Sequence, residues 1–212
     1  MLIRHIGHAE FYLMTESGYR IVTDPYDESC GYPVEKIAAD AVLVSHHHHD
    51  HDAVENVTGY PQIIDSAGAY TLAEDVRVTA LDAFHDDAQG SKRGKTLLFL
   101  IETEGLKVAH LGDLGDSLTE EQSRTLKNAD ILMIPVGGFF TIDAKKARDI
   151  AESLAAKIIL PMHYKTRYNE GWPIEGPEAF TGLYAPEEIR TDGNALRVTR
   201  EDLNCHPHVI LL

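Results

Sequence analysis

The chain is short of several things. Of its 212 residues only two are cysteine, Cys30 and Cys205, and one is tryptophan. Two distant cysteines do not make the disulfide framework of a small secreted scaffold. They read as free thiols in a reducing compartment, with a Cys30–Cys205 pair as the alternative. No apolar run approaches the roughly 18 residues that a membrane span needs. Residues 1–9 lack an apolar core of signal-peptide length. Together these absences point to the cytoplasm. Basic residues are also scarce: 19 Lys and Arg stand against 34 Asp and Glu, a formal net charge of −15. A surface with that balance is a poor general binder of phosphate backbones and of anionic membranes. No G-x-S-x-G is present to supply a serine nucleophile.

What is present is ordinary globular material, with 43% hydrophobic and 25% charged residues. Surface scaling allows about 70% of the unfolded surface to be buried, so the core needs no disulfide or structural metal as a prop. No linker, repeat or low-complexity tract divides the chain, and a single domain over residues 1–212 is expected. Strands are expected near residues 2–6, 11–14 and 19–23, with a turn at Glu16-Ser17-Gly18. Four fully apolar runs follow, at 41–44, 106–109, 131–136 and 158–161. Each is too short for a typical helix and suits a strand buried on both faces. Residues 96–103 form a further strand candidate. Helices are expected from Thr119 to Asn128 and from an Asp143 cap to Ala156. Strands return near 195–199 and 209–212, and residues 164–182, rich in Pro and Gly, read as loop. The pattern suggests an α/β protein, a mixed sandwich with helices outside.

The excess is in histidine, with 12 residues. The first apolar run leads into Ser45-His46-His47-His48-His49-Asp50-His51-Asp52, the second into His110-Leu111-Gly112-Asp113, the third into Gly137-Gly138 and the fourth into Met162-His163. His85 follows an apolar-flanked stretch, residues 78–84. The carboxyl edge of an open α/β sheet is where sites form. On an extended segment His46 and His48 point the same way and can present two imidazoles to one ion. Asp50 and His51, in a turn beyond, can address a second. Imidazole and carboxylate suit ions of the zinc type. The plainer reading is a surface histidine cluster or an adventitious site. Taken singly, His85, Asp113 and His163 are more often structural, and His47 and His49 read as exposed or supporting.

Jointly, these residues resemble the H-x-H-x-D-H signature of the metallo-β-lactamase superfamily. One frame fits: His46, His48, Asp50 and His51. The later family ligands have matches in order at His85, Asp113 and His163. Within the superfamily the chain looks like the L-ascorbate-6-phosphate lactonase-like metal-dependent hydrolases. The features are Gly7-His8-Ala9, Thr23-Asp24-Pro25, and Pro135-Val136-Gly137-Gly138 followed by Thr141. The likeness runs to about Thr166. The family often has Thr after the bridging Asp, where this chain has Leu114, which puts one supporting hydrogen bond in doubt.

The resemblance implies an αββα sandwich, two central sheets flanked by helices, with a dinuclear site between them. It places a first metal on His46, His48 and His85, a second on Asp50, His51 and His163, and Asp113 between the two. The implied cofactors are two divalent metal ions, with zinc as the default and manganese or iron as alternatives. Such a pair brings the pKa of a shared water towards neutrality for attack on an ester, lactone or phosphoester, with Asp50 and Asp113 as the catalytic carboxylates. His8 and Tyr164 are candidates for contacting a small-molecule substrate or relaying a proton, against packing or supporting roles. Lys92 and Arg93 can meet an anionic substrate, against a plain solvated loop. His110 reads as part of a buried hydrogen-bond network, and His5, His206 and His208 match no motif. Two readings compete with the hydrolase: a nuclease or phosphodiesterase of the same fold, which the acidic balance disfavours, and a non-catalytic metal-binding or sensing protein. Oligomeric state is open in the sequence.

Overall fold

The computed structural model describes residues 1–59, 61–204 and 208–212. The readings of Cys205 and His206, and so of a Cys30–Cys205 pair, fall outside the described residues.

The apolar runs become the central strands. Ala41–Leu43, Leu106–His110, Ile131–Pro135 and Ile158–Met162 are buried nearly throughout. Continuous burial is what a strand covered on both faces requires, and it explains why these runs lack alternation. The first belongs to a six-stranded sheet and the other three are parallel neighbours in an eight-stranded sheet. Leu2–Gly7, Glu10–Met14 and Arg20–Thr23 form the expected antiparallel meander, and Arg20–Thr23 pairs in parallel with Ala41–Leu43. Val76–Phe84 and Lys95–Thr103 add antiparallel strands to the second sheet. Val76–Phe84 alternates between buried and more exposed positions, as a strand with one wet face does.

The sheets pack face to face. Ile3, Phe11 and Leu43 from the first meet Phe99, Val108 and Met133 from the second in one apolar layer. The helices cover the outer face of the second sheet. Glu120–Leu126 begins at Thr119 with a capping box completed by Gln122. Ala144–Leu154 begins at Asp143, whose side chain accepts from the Lys146 N–H. It lays Ala147, Ile150, Ala151 and Leu154 against Leu132 and Ile134. The outer face of the first sheet carries Val22, Val42 and Val44. It is covered by the short strands Ile37–Ala38 and Val57–Thr58 rather than by an α-helix. The layered α/β architecture is therefore as expected, with its helices on one side.

Several details differ from the sequence reading, and three bear on the layers. Ala144–Leu154 stops at Ala155, which turns left-handed at φ 54°, two residues before the expected end. Glu178–Thr181 is a short helix inside the segment read as loop. Gln62–Ile64 and Gly68–Ala73 are strands that composition did not signal. No helix among the described residues is long and apolar enough to cross a membrane.

Candidate metal centre

Strand ends deliver the side chains. Ala41–Leu43 hands over to Ser45 and the histidine run, Val76–Phe84 to His85, Leu106–His110 to Asp113 and Ile158–Met162 to His163. The His46–His48 stretch is a bend, not an extended segment, because the chain is already turning. The His51 N–H reaches the His48 carbonyl at 2.8 Å. The two rings nevertheless stand 4.4 Å apart, nearly perpendicular. Gly112 has φ 46°, and a Cβ there would lie 2.6 Å from the Leu97 carbonyl oxygen. Only glycine permits both the left-handed turn and that approach, and the turn carries Asp113 inward.

The structure brings all seven candidate ligands together. Asp113 is central. Its Oδ2 lies 3.2 Å from His163 Nε2, 3.3 Å from His85 Nε2 and 4.0 Å from His46 Nε2, and its Oδ1 lies 3.3 Å from His51 Nε2. Asp50 Oδ2 lies 3.6 Å from His51 Nε2. Donor atoms of His46, His48 and His85 fall within 4.8 Å of one another, as do those of His8, Asp50, His51 and His163. His47 and His49 are exposed, with side chains 66% and 59% accessible, and His47 turns to Asp52.

Hydrogen bonds behind the cluster orient two of the rings. Asp24 is fully buried and accepts from Ser45 N–H at 2.6 Å and Ser45 Oγ–H at 2.7 Å. It also accepts from His51 Nδ1–H at 3.0 Å. Because the Ser45 hydroxyl proton goes to Asp24, Ser45 Oγ accepts from His46 Nδ1–H at 2.9 Å. Both rings thereby keep their Nδ1 proton behind the cluster and turn Nε2 towards it. Sequence reasoning used Asp24 only as part of a resemblance; its signal is a buried carboxylate after a strand. His110 sits in a network, as expected: Gly112 N–H donates to its Nδ1 and its Nε2–H donates to the Ala9 carbonyl.

Charges are shared unevenly. Burial and the neighbouring His51 push His46 down to about 3. Burial, then Asp113 with opposite effect, leaves His85 below its ordinary value. Burial also opposes charge on His51, but Asp113, Asp50 and Asp24 outweigh it and hold His51 well above the ordinary imidazole range. The same burial acts on Asp113 and is overcome by His163 and His51, so its carboxyl stays well below the usual range. Asp50 is held down likewise, by His51 and His8 against its burial.

A cleft of about 380 Å³ opens over the cluster, walled by His48, Asp50, His85, Asp113, His163, Phe140, Trp172 and Arg93 among others. The two expected substrate contacts are not on that wall. His8 is 1% exposed and lies beneath the site, its ring 4.2 Å from that of His163 and its Nε2 3.3 Å from Asp50 Oδ2. Its position beside Asp50, His51 and His163 agrees with the supporting alternative rather than with a direct substrate contact. Tyr164 is buried in the apolar layer under the helices, and burial pushes its hydroxyl up to about 12. The chain turns at His163, so the next side chain packs on the helix side of the sheet instead of in the cleft. Trp172 and Phe140 are wall residues that sequence reasoning did not select.

The chain is similar to known proteins. Residues 2–163 match the family described as the Beta-lactamase superfamily domain. A UPF0173 metal-dependent hydrolase of Carboxydothermus hydrogenoformans is 29% identical over the whole of both chains. Another, from Methanobrevibacter smithii, is 31% identical over 78% of this chain and 82% of its own. Among solved structures, a Thermotoga maritima protein of the metallo-β-lactamase superfamily superposes with a TM-score of 0.79. It is 36% identical, over 99% of this chain and 97% of its own. With relatives named as metal-dependent hydrolases, and with its strand ends converging on one His/Asp cluster, the chain belongs to the metallo-β-lactamase superfamily.

Proposed function

We propose that the chain is a hydrolase that uses two divalent metal ions to cleave a small ester, lactone or phosphoester. The observation that carries this reading is the convergence of seven donor side chains, six of them grouped about Asp113. Several of their buried atoms, including His46 Nε2, His51 Nε2 and Asp113 Oδ1, have no hydrogen-bond partner among the described residues. Buried polar atoms without partners are costly, and a cation satisfies them. The donor set, five imidazoles and two carboxylates, fits ions of the zinc type, with manganese or iron also compatible.

His46, His48 and His85 would hold one ion, Asp50, His51 and His163 the other, and Asp113 would serve both. When bound, such ions supply Lewis acidity and make water nucleophilic near neutral pH. The chain's own residues do the rest. Asp24 and Ser45 keep the His51 and His46 lone pairs aimed inward. Thr96 Oγ1 accepts the Asp113 N–H at 3.2 Å and fixes the turn that carries the central carboxylate. Phe140 and Trp172 narrow the cleft and limit the water around a bound substrate. A substrate of small-molecule size suits a cavity of about 380 Å³. The lactone member of the substrate class rests on the sequence resemblance. The single-domain reading over residues 1–212 and a cytoplasmic location, the latter resting on cysteine usage, belong to the same proposal.

The test is elemental analysis of protein purified without a histidine tag, together with a panel of lactones, esters, phosphodiesters and short RNA. About two metal equivalents and turnover of a small substrate are expected. His48→Ala should lose metal and turnover, whereas His47→Ala should stay near wild type. Equal effects of the two substitutions, activity on RNA alone, or full metal with no turnover on the whole panel would each overturn the proposal.

A further inference from the structure

One wall of the cleft is built around a carboxylate that lies outside the donor cluster. After His85 the chain makes a compact loop, closed by Gly94 N–H to the Gly90 carbonyl at 2.9 Å and His85 N–H to the Gly94 carbonyl at 3.1 Å. The buried Asp86 carboxylate fills its centre. It accepts the backbone N–H groups of Ala88 at 2.8 Å, Gly90 at 2.9 Å, Lys92 at 2.9 Å and Arg93 at 2.7 Å. Four such bonds to one carboxylate fix the loop and, with it, the point from which the Arg93 side chain departs.

That side chain is half-buried and crosses two aromatic faces. Its Cζ lies 5.5 Å from the Phe140 ring centroid and 5.9 Å from that of Phe139. Contact of this kind holds a guanidinium against the rings and leaves N–H donors available to an oxyanion. Neighbouring Lys92 is tied to Asp87 at 2.6 Å. Among the described residues, no carboxylate lies within 4.0 Å of the Arg93 guanidinium. Among the described residues it is the one lysine or arginine lining the cleft that His85, Asp113, His163, Phe140 and Trp172 also line.

We propose that Arg93 is a specificity-determining residue, binding the carboxylate or phosphoryl oxygens of an anionic substrate whose apolar body lies against Phe140 and Trp172. The planar donor fork matches either oxyanion. The apolar walls suit a body of hydrocarbon or ring character. For the reaction that follows binding, this inference rests on the hydrolase reading; the binding itself does not.

Trp172 is the sole tryptophan of the chain and lines the cleft, so its emission reports occupancy. The experiment titrates metal-loaded protein with 3-phenylpropionate, phenylphosphonate and 3-phenylpropan-1-ol. At least one anion should bind about tenfold or more tightly than the alcohol, and the tighter anion identifies which oxyanion is preferred. Arg93→Gln should remove about tenfold or more of the anion affinity, leaving the alcohol and the metal content unchanged. Arg93→Lys, which keeps charge but not the fork, should fall between. Unchanged anion affinity in Arg93→Gln at full metal content would overturn the proposal. So would an equal loss for anions and alcohol, which marks a packing role. A protein that takes up no metal would sink the hydrolase reading instead, and the same titrations on it would still decide the role of Arg93.

Discussion

His46 and His51, which follow the first sheet, are each held at Nδ1 by a hydrogen bond that leads to Asp24. His85 and His163, which follow strands of the second sheet, have no partner at Nδ1 among the described residues. The two halves of the cluster are thus aimed by different means. On the first side a buried carboxylate sets the Nδ1 proton and the ring plane. On the second side the backbone does so: His163 is left-handed at φ 52°, its N–H donates to the His8 carbonyl at 3.0 Å, and its ring packs on His8. The lesson is that a strand-end residue on a rigid sheet needs less help than one in a bend. The loop after Ser45 has no ladder beneath it and depends on side-chain hydrogen bonds.

The sharpest way to break this contrast is Asp24→Ala. It strands the buried donors of Ser45 and His51, at a cost of about 1–3 kcal/mol for each unsatisfied group. Metal affinity should fall roughly 10- to 100-fold, as for other groups that orient a ligand. Chelator competition and urea unfolding measure both. An affinity within twofold of wild type would remove the distinction between the halves. On the other side, Gly137→Ala should act through the backbone. The new Cβ would meet the His163 carbonyl oxygen at 2.2 Å, so His163 must shift. A stability loss of about 1–3 kcal/mol is expected, with less than tenfold loss of metal affinity, read by thermal melting and the same competition assay. A larger metal effect than that of Asp24→Ala would reverse the order of dependence.

The smallest effect concerns acid. Burial alone would raise the Asp86 carboxyl, but the N–H groups of Arg93, Ala88, Lys92 and Gly90 outweigh it and bring it down to about 2. A carboxyl lowered on folding stabilises fully above its unfolded value of about 4 and loses that contribution as pH falls towards 2. Hydrogen exchange at these four amides should therefore quicken across that window, beyond the intrinsic pH dependence, with the rest of the second sheet unaffected. Asp86→Asn should abolish the pH dependence.

Much of this was legible in sequence, for physical reasons that differ by element. Ile131–Pro135 and Ile158–Met162 were readable because burial on both faces forces continuous apolar composition. Thr119 and Asp143 were readable because a helix start leaves N–H groups that a short polar side chain must meet. Gly68–Ala73 was not, since its mostly exposed edge position asks nothing distinctive of its residues. At the site, the spacing from His46 to His51 and the strand-end positions of Asp113 and His163 raised the candidates, and the family resemblance supplied the grouping of seven. Asp24 as the common hydrogen-bond acceptor and Trp172 as a wall residue depend on how loops from distant strands meet, and so does the choice between Arg93 as an anion contact and Arg93 as part of a solvated loop, both of which the sequence offered. For His8 and Tyr164 the choice between substrate contact and a packing or supporting role was open for the same reason: position along the chain does not say which side of a sheet a ring occupies.

The bond from the His163 N–H to the His8 carbonyl ties a late strand end to one of the first, and the distance between them along the chain has a consequence for synthesis. A growing chain displays the whole histidine run long before His163 leaves the ribosome. Until both sheets have closed, any ion caught there meets only part of its final donor set. Tight retention would accordingly be a property of finished molecules, and a metal-release assay on truncated nascent chains would double as a clock for maturation.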